Sequence, residues 1–325
     1  MVGLVVQEFV ITLFACPKPF RDPHISLIQR NAIASWMALQ PRPTIILFGD
    51  EAGVAEVCEE LGLVHVAGVA RNAAGTPLVN DVFRQAESMT PDKVVGYVNA
   101  DIILMDDFLD AVRLCAARRD HWMMGGRPWD VAVRHLLPYS TGWQRPFRDH
   151  ALRDGRLRWA GACDYFVYSK GLWGELPPFA LGRSYFDLAL LHLARKRGAA
   201  LIDATDGVTA VHQSHPYPAH LGGDNYTTNP EALENVRLAG GWERIYTLGN
   251  ATHRLTASGL SRYWPGTLRR WGHFSPKMRG WDSKFWYPAL AVTKPVRRRL
   301  GLGRDNLLLL GSRLGRLFRG KAAIL

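Results

Sequence analysis

Over its first 125 residues the chain alternates short apolar runs with stretches of helical periodicity, and few folds accept that order. Residues 9–15, 44–48, 63–66 and 94–98 are β-branched or aromatic runs of strand length, and a fifth begins at 122–124. Between them, residues 24–39 place Ile25, Ile28, Ala32, Ile33, Trp36 and Leu39 at helical spacing, and Pro41 and Pro43 close that helix. Residues 54–61, 77–89 and 106–118 read as further helices, with Pro77 in a first turn and two acids opening the last. This alternation predicts an α/β fold with a mostly parallel sheet flanked by helices. Ligands of such sheets bind beyond the carboxyl ends of strands. The segments to inspect are therefore Ala15 to Phe20, Gly49-Asp50 and Asn99-Ala100-Asp101.

The second half is less regular. Residues 164–168, 200–203 and 208–212 read as strands, and 185–197 and 233–238 as helices. The expectation is a mixed region covering one edge or face of the first sheet.

Charge divides the chain. Residues 1–261 hold 25 Lys+Arg and 27 Asp+Glu, a net of −2, whereas residues 262–325 hold 15 and 2, a net of +13. The reading is one domain over 1–261 and a basic, aromatic-rich helical extension over 262–325. An apolar fraction of 47% excludes wholesale disorder, and no apolar run is long enough for a spanning helix. Cys16, Cys58, Cys115 and Cys163 form neither a disulfide framework nor a zinc pattern. With no signal-like start at residues 1–6, a reduced, cytoplasmic chain is expected. In the extension, Leu307, Leu310, Leu314 and Leu317 form an apolar stripe beside Arg313, Arg316 and Arg319. That pattern points to an anionic membrane surface at the inner face of a membrane, ahead of nucleic acid, for which the segment has no reading motif.

Three constellations carry chemistry. The apolar strand 94–98 ends in Asn99-Ala100-Asp101, where a desolvated acid needs a cation or a set of backbone donors; a metal ion bridging a diphosphate and a simple turn cap both fit. Gly182-Arg183-Ser184-Tyr185-Phe186-Asp187 delivers an acid into the first turn of an apolar helix, as a general base or as a complement to the helix dipole. His212-Gln213-Ser214-His215 follows a strand; its two histidines face one way only if the backbone turns between them, so they stand as alternatives more than as a pair. Asp164 starts a strand after small residues and suits hydroxyl binding or a turn equally. Arg127 and Asp130 carry lower weight.

The Asn99-x-Asp101 stretch resembles the Asp-x-Asp motif of GT-A glycosyltransferases, a Rossmann-related fold that uses nucleotide-diphospho-sugars. Pro17-Lys18-Pro19-Phe20, Gln29-Arg30-Asn31, Phe48-Gly49-Asp50, Tyr97 to Ile102 and Val211 to His215 are similar to a family of nucleotide-diphospho-sugar transferases, over roughly residues 9–260. The resemblance implies transfer of a sugar to an acceptor hydroxyl with Mn²⁺ or Mg²⁺. It implies Asp101 as metal ligand with His212 or His215, and Asp187 as catalytic base. It implies Ala15, Pro17, Lys18, Asp50, Arg71, Asn99, Asp101 and Asp164 as donor-binding residues. The acceptor class, whether glycan, lipid-linked or small molecule, stays open. Asn99 departs from the motif's first acid, which leaves a catalytically inactive nucleotide-sugar binder as one alternative. A nucleotidyltransferase is another, although Cys16-Pro17-Lys18-Pro19 replaces the Gly-rich loop it would need. A non-enzymatic nucleic-acid or membrane binder acting through the tail is a third. Phosphate-loop, dinucleotide-binding, nucleophile-elbow and His-Glu-x-x-His motifs are all missing from the sequence.

Overall fold

Strands covered on both faces read as near-continuous apolar runs, and several segments of the chain come close to that pattern. β1 (Thr12–Ala15) and β4 (Val94–Val98) are buried throughout. The computed structural model describes residues 10–215 and 227–263. Tyr217, His220 and the aromatic and amphipathic segments of the basic extension lie outside the described residues.

The other elements of the first half are α1 (Pro23–Met37), β2 (Thr44–Phe48), α2 (Val54–Leu61), β3 (Val64–Val66), α3 (Val79–Met89), β5 (Ile102–Ile103), α4 (Asp106–Arg118) and β6 (Trp122–Gly125). After them come β7 (Trp129–Val131), α5 (Gln144–Asp154), β8 (Arg156–Leu157), β9 (Tyr165–Ser169) and α6 (Phe186–Lys196). The chain continues through β10 (Ala200–Asp203), β11 (Val211–Gln213), α7 (Pro230–Ala239), β12 (His253–Thr256) and β13 (Gly259–Arg262).

Nine strands form one sheet in the order β13-β12-β10-β6-β9-β4-β1-β2-β3. All run parallel except β9 and β13. The α/β arrangement read from the alternation is therefore present. The second half does more than cover an edge: β9, β10, β12 and β13 extend the same sheet. A smaller sheet, β5-β11-β7-β8, stands beside it. Among the described residues the last strand, β13, ends at Arg262, beside the charge boundary.

Each face of the large sheet has its own core. Leu13 and Ala15 pack with Ala32, Trp36 and Phe108 on one side, and Phe14 packs with Phe83, Tyr97 and Phe186 on the other. The period-two alternation of β1 produces this split. Gly96 sits where a Cβ would come within 2.8 Å of Leu13 Cδ2, so the central strand has no side chain at that point.

Local signals set the helix limits. Asp22 caps α1 by accepting from Ile25 N at 2.9 Å, with Pro23 following it. One sequence expectation is corrected: α3 begins at Val79, not Pro77. Asn72 Oδ1 accepts from Ala74 N and Thr76 N at 3.0 and 2.9 Å, which folds residues 71–77 into a turn. Pro77 then pairs back to Arg71 as an isolated bridge and is outside the helix. Likewise the strand expected at 208–212 starts only at Val211. Gly207 N and Val208 N both donate to Ala204 O, which closes a turn just before it and leaves residues 208–210 outside any strand.

Candidate active site

Each parallel strand delivers its next residues to the same end of the sheet. A cavity of about 630 Å³ opens there, lined by Cys16, Pro17 and Lys18 after β1 and by Asn99, Ala100 and Asp101 after β4. Asp164 before β9, Asp187 in α6, and His212 and His215 also line it. Ala15 is buried at the end of β1 and lies outside the lining.

Asp101 is 8% exposed and held at its backbone. Ile102 N donates to Asn99 O at 3.0 Å, closing a tight turn, and Gln213 N and Nε2 each donate to Asp101 O at 3.2 Å. The antiparallel pairing of β5 with β11 sets His212 opposite Ile102, beside that turn. His215 arrives by a second route, because the chain bends after β11. Asp101 Oδ2 lies 3.1 Å from His215 Nε2 and 4.0 Å from His212 Nε2. The sequence presents the histidines as alternatives; the structure brings both to one carboxylate.

Asp130 orients His212. Its Oδ1 lies 2.8 Å from His212 Nδ1, which leaves Nε2 for the Asp101 side. Arg156 and Arg158 flank Asp130 at 3.1 and 3.7 Å. Burial alone would raise the Asp101 carboxyl; the His215 hydrogen bond and the charges of His212 and Lys18 outweigh it and hold the group well below the ordinary carboxylate range. Burial alone would lower the His212 imidazole, and the hydrogen bond to Asp130 reverses that and raises it. Lys18 Nζ stands 3.0 Å from His215 Nε2 and 3.6 Å from Asp101 Oδ2, so one cation already leans on this acid.

A divalent cation fits this set. One ligand atom from each of Asp101, His212 and His215 lies within 4.8 Å of the others. Asp101 Oδ1 is buried with no hydrogen-bond partner, which is costly for a carboxylate oxygen unless a cation takes it. Two imidazole nitrogens and a carboxylate suit Mn²⁺ better than the harder, oxygen-preferring Mg²⁺, with water and phosphate oxygens completing the shell.

Asn99 does not join that cluster directly. Its amide donates to Asp164 Oδ1 at 3.2 Å and its Oδ1 accepts from the Tyr97 hydroxyl at 2.8 Å. Arg158 donates to Asp164 Oδ2 at 2.8 Å and so bridges the Asp164 and Asp130 sides.

Asp187 occupies the first turn of α6. The residue before the helix, Tyr185, has φ of 77°, a conformation uncommon for a non-glycine residue, and it turns the chain so that Asp187 enters the cavity. Burial, with the nearby Asp164 charge, pushes the Asp187 carboxyl up to about 7. A carboxyl tuned to that range takes and releases protons near neutrality.

Arg71, also on the cavity lining, spans two acids, at 2.5 Å from Asp50 and 2.9 Å from Glu51. Asp50 is largely exposed and lies outside the lining, whereas Glu51 and Arg71 line it. Sequence reasoning gives no role to Glu51, Arg158 or Arg183, which also line the cavity, as does Trp159, one of the aromatics that could stack on a sugar or base. Glu51 was within reach, one residue beyond a strand-ending acid. Arg158 sits in an irregular basic stretch with no periodicity to mark it.

Gln29 and Asn31 act as a clamp. Gln29 Oε1 accepts from Lys18 N at 2.6 Å and Gln29 Nε2 donates to Lys18 O at 2.9 Å, which fixes the first loop. Asn31 donates to Gln213 Oε1 at 3.1 Å, and Gln213 donates to Ile28 O at 2.6 Å. These buried amides tie α1 to the strand that carries His212.

No family model matches the chain, and no curated protein matches its sequence. Among solved structures it is similar to glucosyl-3-phosphoglycerate synthase from Mycobacterium tuberculosis in complex with Mn²⁺, UDP and glucosyl-3-phosphoglycerate. That match has 12% identity, 71% of this chain, 80% of the other and a TM-score of 0.43. The same enzyme with Mg²⁺ and UDP gives 13% identity, 78% and 86% coverage and a TM-score of 0.43. S. aureus TarS 1–349 in complex with UDP-GlcNAc gives 10% identity, 70% and 65% coverage and a TM-score of 0.46. A likeness at these scores assigns no role to any residue; the roles rest on the site's own geometry. Among the described residues no helix is long and apolar enough to cross a membrane.

Proposed function

We propose that this protein is a metal-dependent glycosyltransferase that moves a sugar from a nucleotide-diphosphate donor to an acceptor hydroxyl. One observation carries the reading: Asp101, His212 and His215 converge at the floor of a cavity that also holds a carboxyl tuned to about pH 7, Asp187. A cation site beside a half-buried base matches the two demands of glycosyl transfer, a neutralised diphosphate and an activated hydroxyl.

Asp101, His212 and His215 would hold Mn²⁺ or Mg²⁺. When bound there, the ion supplies Lewis-acid neutralisation of the leaving diphosphate. Lys18 adds a second positive charge on the same side, and its ammonium would move from Asp101 to a phosphate oxygen. Arg71, steadied by Asp50 and Glu51, would hold the nucleoside end. Asn99 and Asp164, locked together and to Arg158, would take sugar hydroxyls. Asp187 would accept the proton of the attacking acceptor hydroxyl in a transfer that inverts the anomeric centre. The basic extension would bring the enzyme to an anionic membrane surface, in line with a lipid-linked acceptor.

Screening nucleotide-sugars for hydrolysis with and without Mn²⁺ tests the reading. It predicts metal-dependent release of nucleoside diphosphate that Asp101→Ala abolishes. Release that ignores both the metal and that substitution would overturn it.

A further inference from the structure

A second recess lies at the other end of the sheet. β6, β10 and β12 run parallel and side by side, and their first residues, Trp122, Ala200 and His253, start from the same edge. Beyond that edge is a cavity of about 410 Å³, lined by Arg119, His121, Thr252, His253 and Arg262 with backbone from Gly198 to Ala200. Two arginines and two histidines meet there, and no carboxylate lines it. The main cavity, by contrast, interleaves its cations with five acids, Asp22, Glu51, Asp101, Asp164 and Asp187.

The recess is built. Thr252 Oγ1 donates to Leu201 O at 3.1 Å, so its lone pair faces His253 Nδ1, 2.8 Å away, as acceptor of the Nδ1 proton. His253 Nε2 is left as an acceptor, and Arg119 donates to it at 2.8 Å. A neutral imidazole thus holds a guanidinium, and among the described residues no acid pairs with Arg119. Across the β12–β13 ladder His253 pairs with Arg262, which also lines the recess. Burial and then the charges of Arg119 and Arg262 push His253 below its ordinary value, which keeps the imidazole neutral.

We propose that this recess is a binding site for a phosphate monoester dianion. The Arg119 fork, its orientation fixed by His253, with Arg262 and His121 on the same lining, suits a doubly charged, tetrahedral oxyanion, and the volume admits a phosphate with a small organic substituent. The same chemistry is presented by a free phosphate ester and by a phosphatidate headgroup. The site stands apart from the catalytic cavity and does not depend on the transferase reading.

The test follows the His253 imidazole by NMR in the full chain, its signal assigned through His253→Gln. Inorganic phosphate should move the signal saturably, while chloride at equal ionic strength should not. Arg119→Gln should weaken that response at least tenfold, and Arg262→Gln serves if the first variant does not fold. Sedimentation with vesicles containing phosphatidate, against phosphatidylcholine alone, separates the sources: an Arg119-dependent gain assigns the headgroup, and its absence with a phosphate response assigns a free ester. An unmoved imidazole with no Arg119-dependent vesicle binding overturns the proposal, as does a shift that chloride reproduces.

Discussion

The Nδ1 of His212 and the Oδ1 of Asp130 are 2.8 Å apart, and this contact decides which nitrogen His212 turns toward Asp101. A histidine held in this way is a better ligand because its tautomer and ring plane are fixed before the ion arrives. Asp130→Asn should therefore weaken Mn²⁺ binding by about 10–100-fold while leaving the fold intact. Calorimetric titration of Mn²⁺ checks it, and unchanged affinity would separate Asp130 from the site.

Lys18 competes for the same carboxylate. Lys18→Met should tighten Mn²⁺ binding in the absence of nucleotide, because an ammonium 3.6 Å from Asp101 Oδ2 is removed. It should also weaken nucleoside-diphosphate binding in the presence of the ion. Two titrations that moved in the same direction would contradict the role given to Lys18.

Asp187 predicts a pH profile with a defined sign. As base it must be ionised, so turnover should rise with pH through about 7. Asp187→Asn should lose about 10²–10⁴-fold in rate and should lose that limb of the profile.

The same group affects stability. Its folded value, about 7, is above the ordinary 3.8, so the folded state holds a proton that the unfolded state releases between those values. Stability from this source is full below about pH 4 and is lost as pH rises toward 7. Urea midpoints should fall over that window in the wild-type chain and fall less in Asp187→Asn.

The elements that hold the site were legible wherever one signal dominated. β1, β2 and β4 are short apolar runs, and the acids that follow β2 and β4 mark their ends. Asp101 and Asp187 could be singled out because a carboxylate beside an apolar run has few reasons to be there. The pairing of His212 with His215 could not be read, because it depends on a bend after β11 and on the register between β5 and β11. Arg158 was hidden for a similar reason: its contacts to Asp130 and Asp164 join residues 28 and 6 positions away through tertiary packing, without a local pattern. Gln29 and Asn31 stood out in the sequence only through resemblance, and the structure gives them a physical reason.

That reason is testable. Asn31 and Gln213 are 1% and 0% exposed and bonded to each other. Asn31→Ala would leave the Gln213 oxygen without that donor and should cost about 1–3 kcal/mol in chemical denaturation. It should also raise the apparent Kd for Mn²⁺, since Gln213 holds Asp101 O.

The central claim is that Asp101, His212 and His215 hold a divalent ion that makes a nucleoside diphosphate bind. Calorimetric titration of UDP and of GDP, with Mn²⁺ and with chelator, measures this directly. The account predicts that at least one nucleotide binds tightly with Mn²⁺, weakly with chelator, and without metal dependence in Asp101→Ala. Equal affinity with and without Mn²⁺, or no binding of either nucleotide, would contradict it.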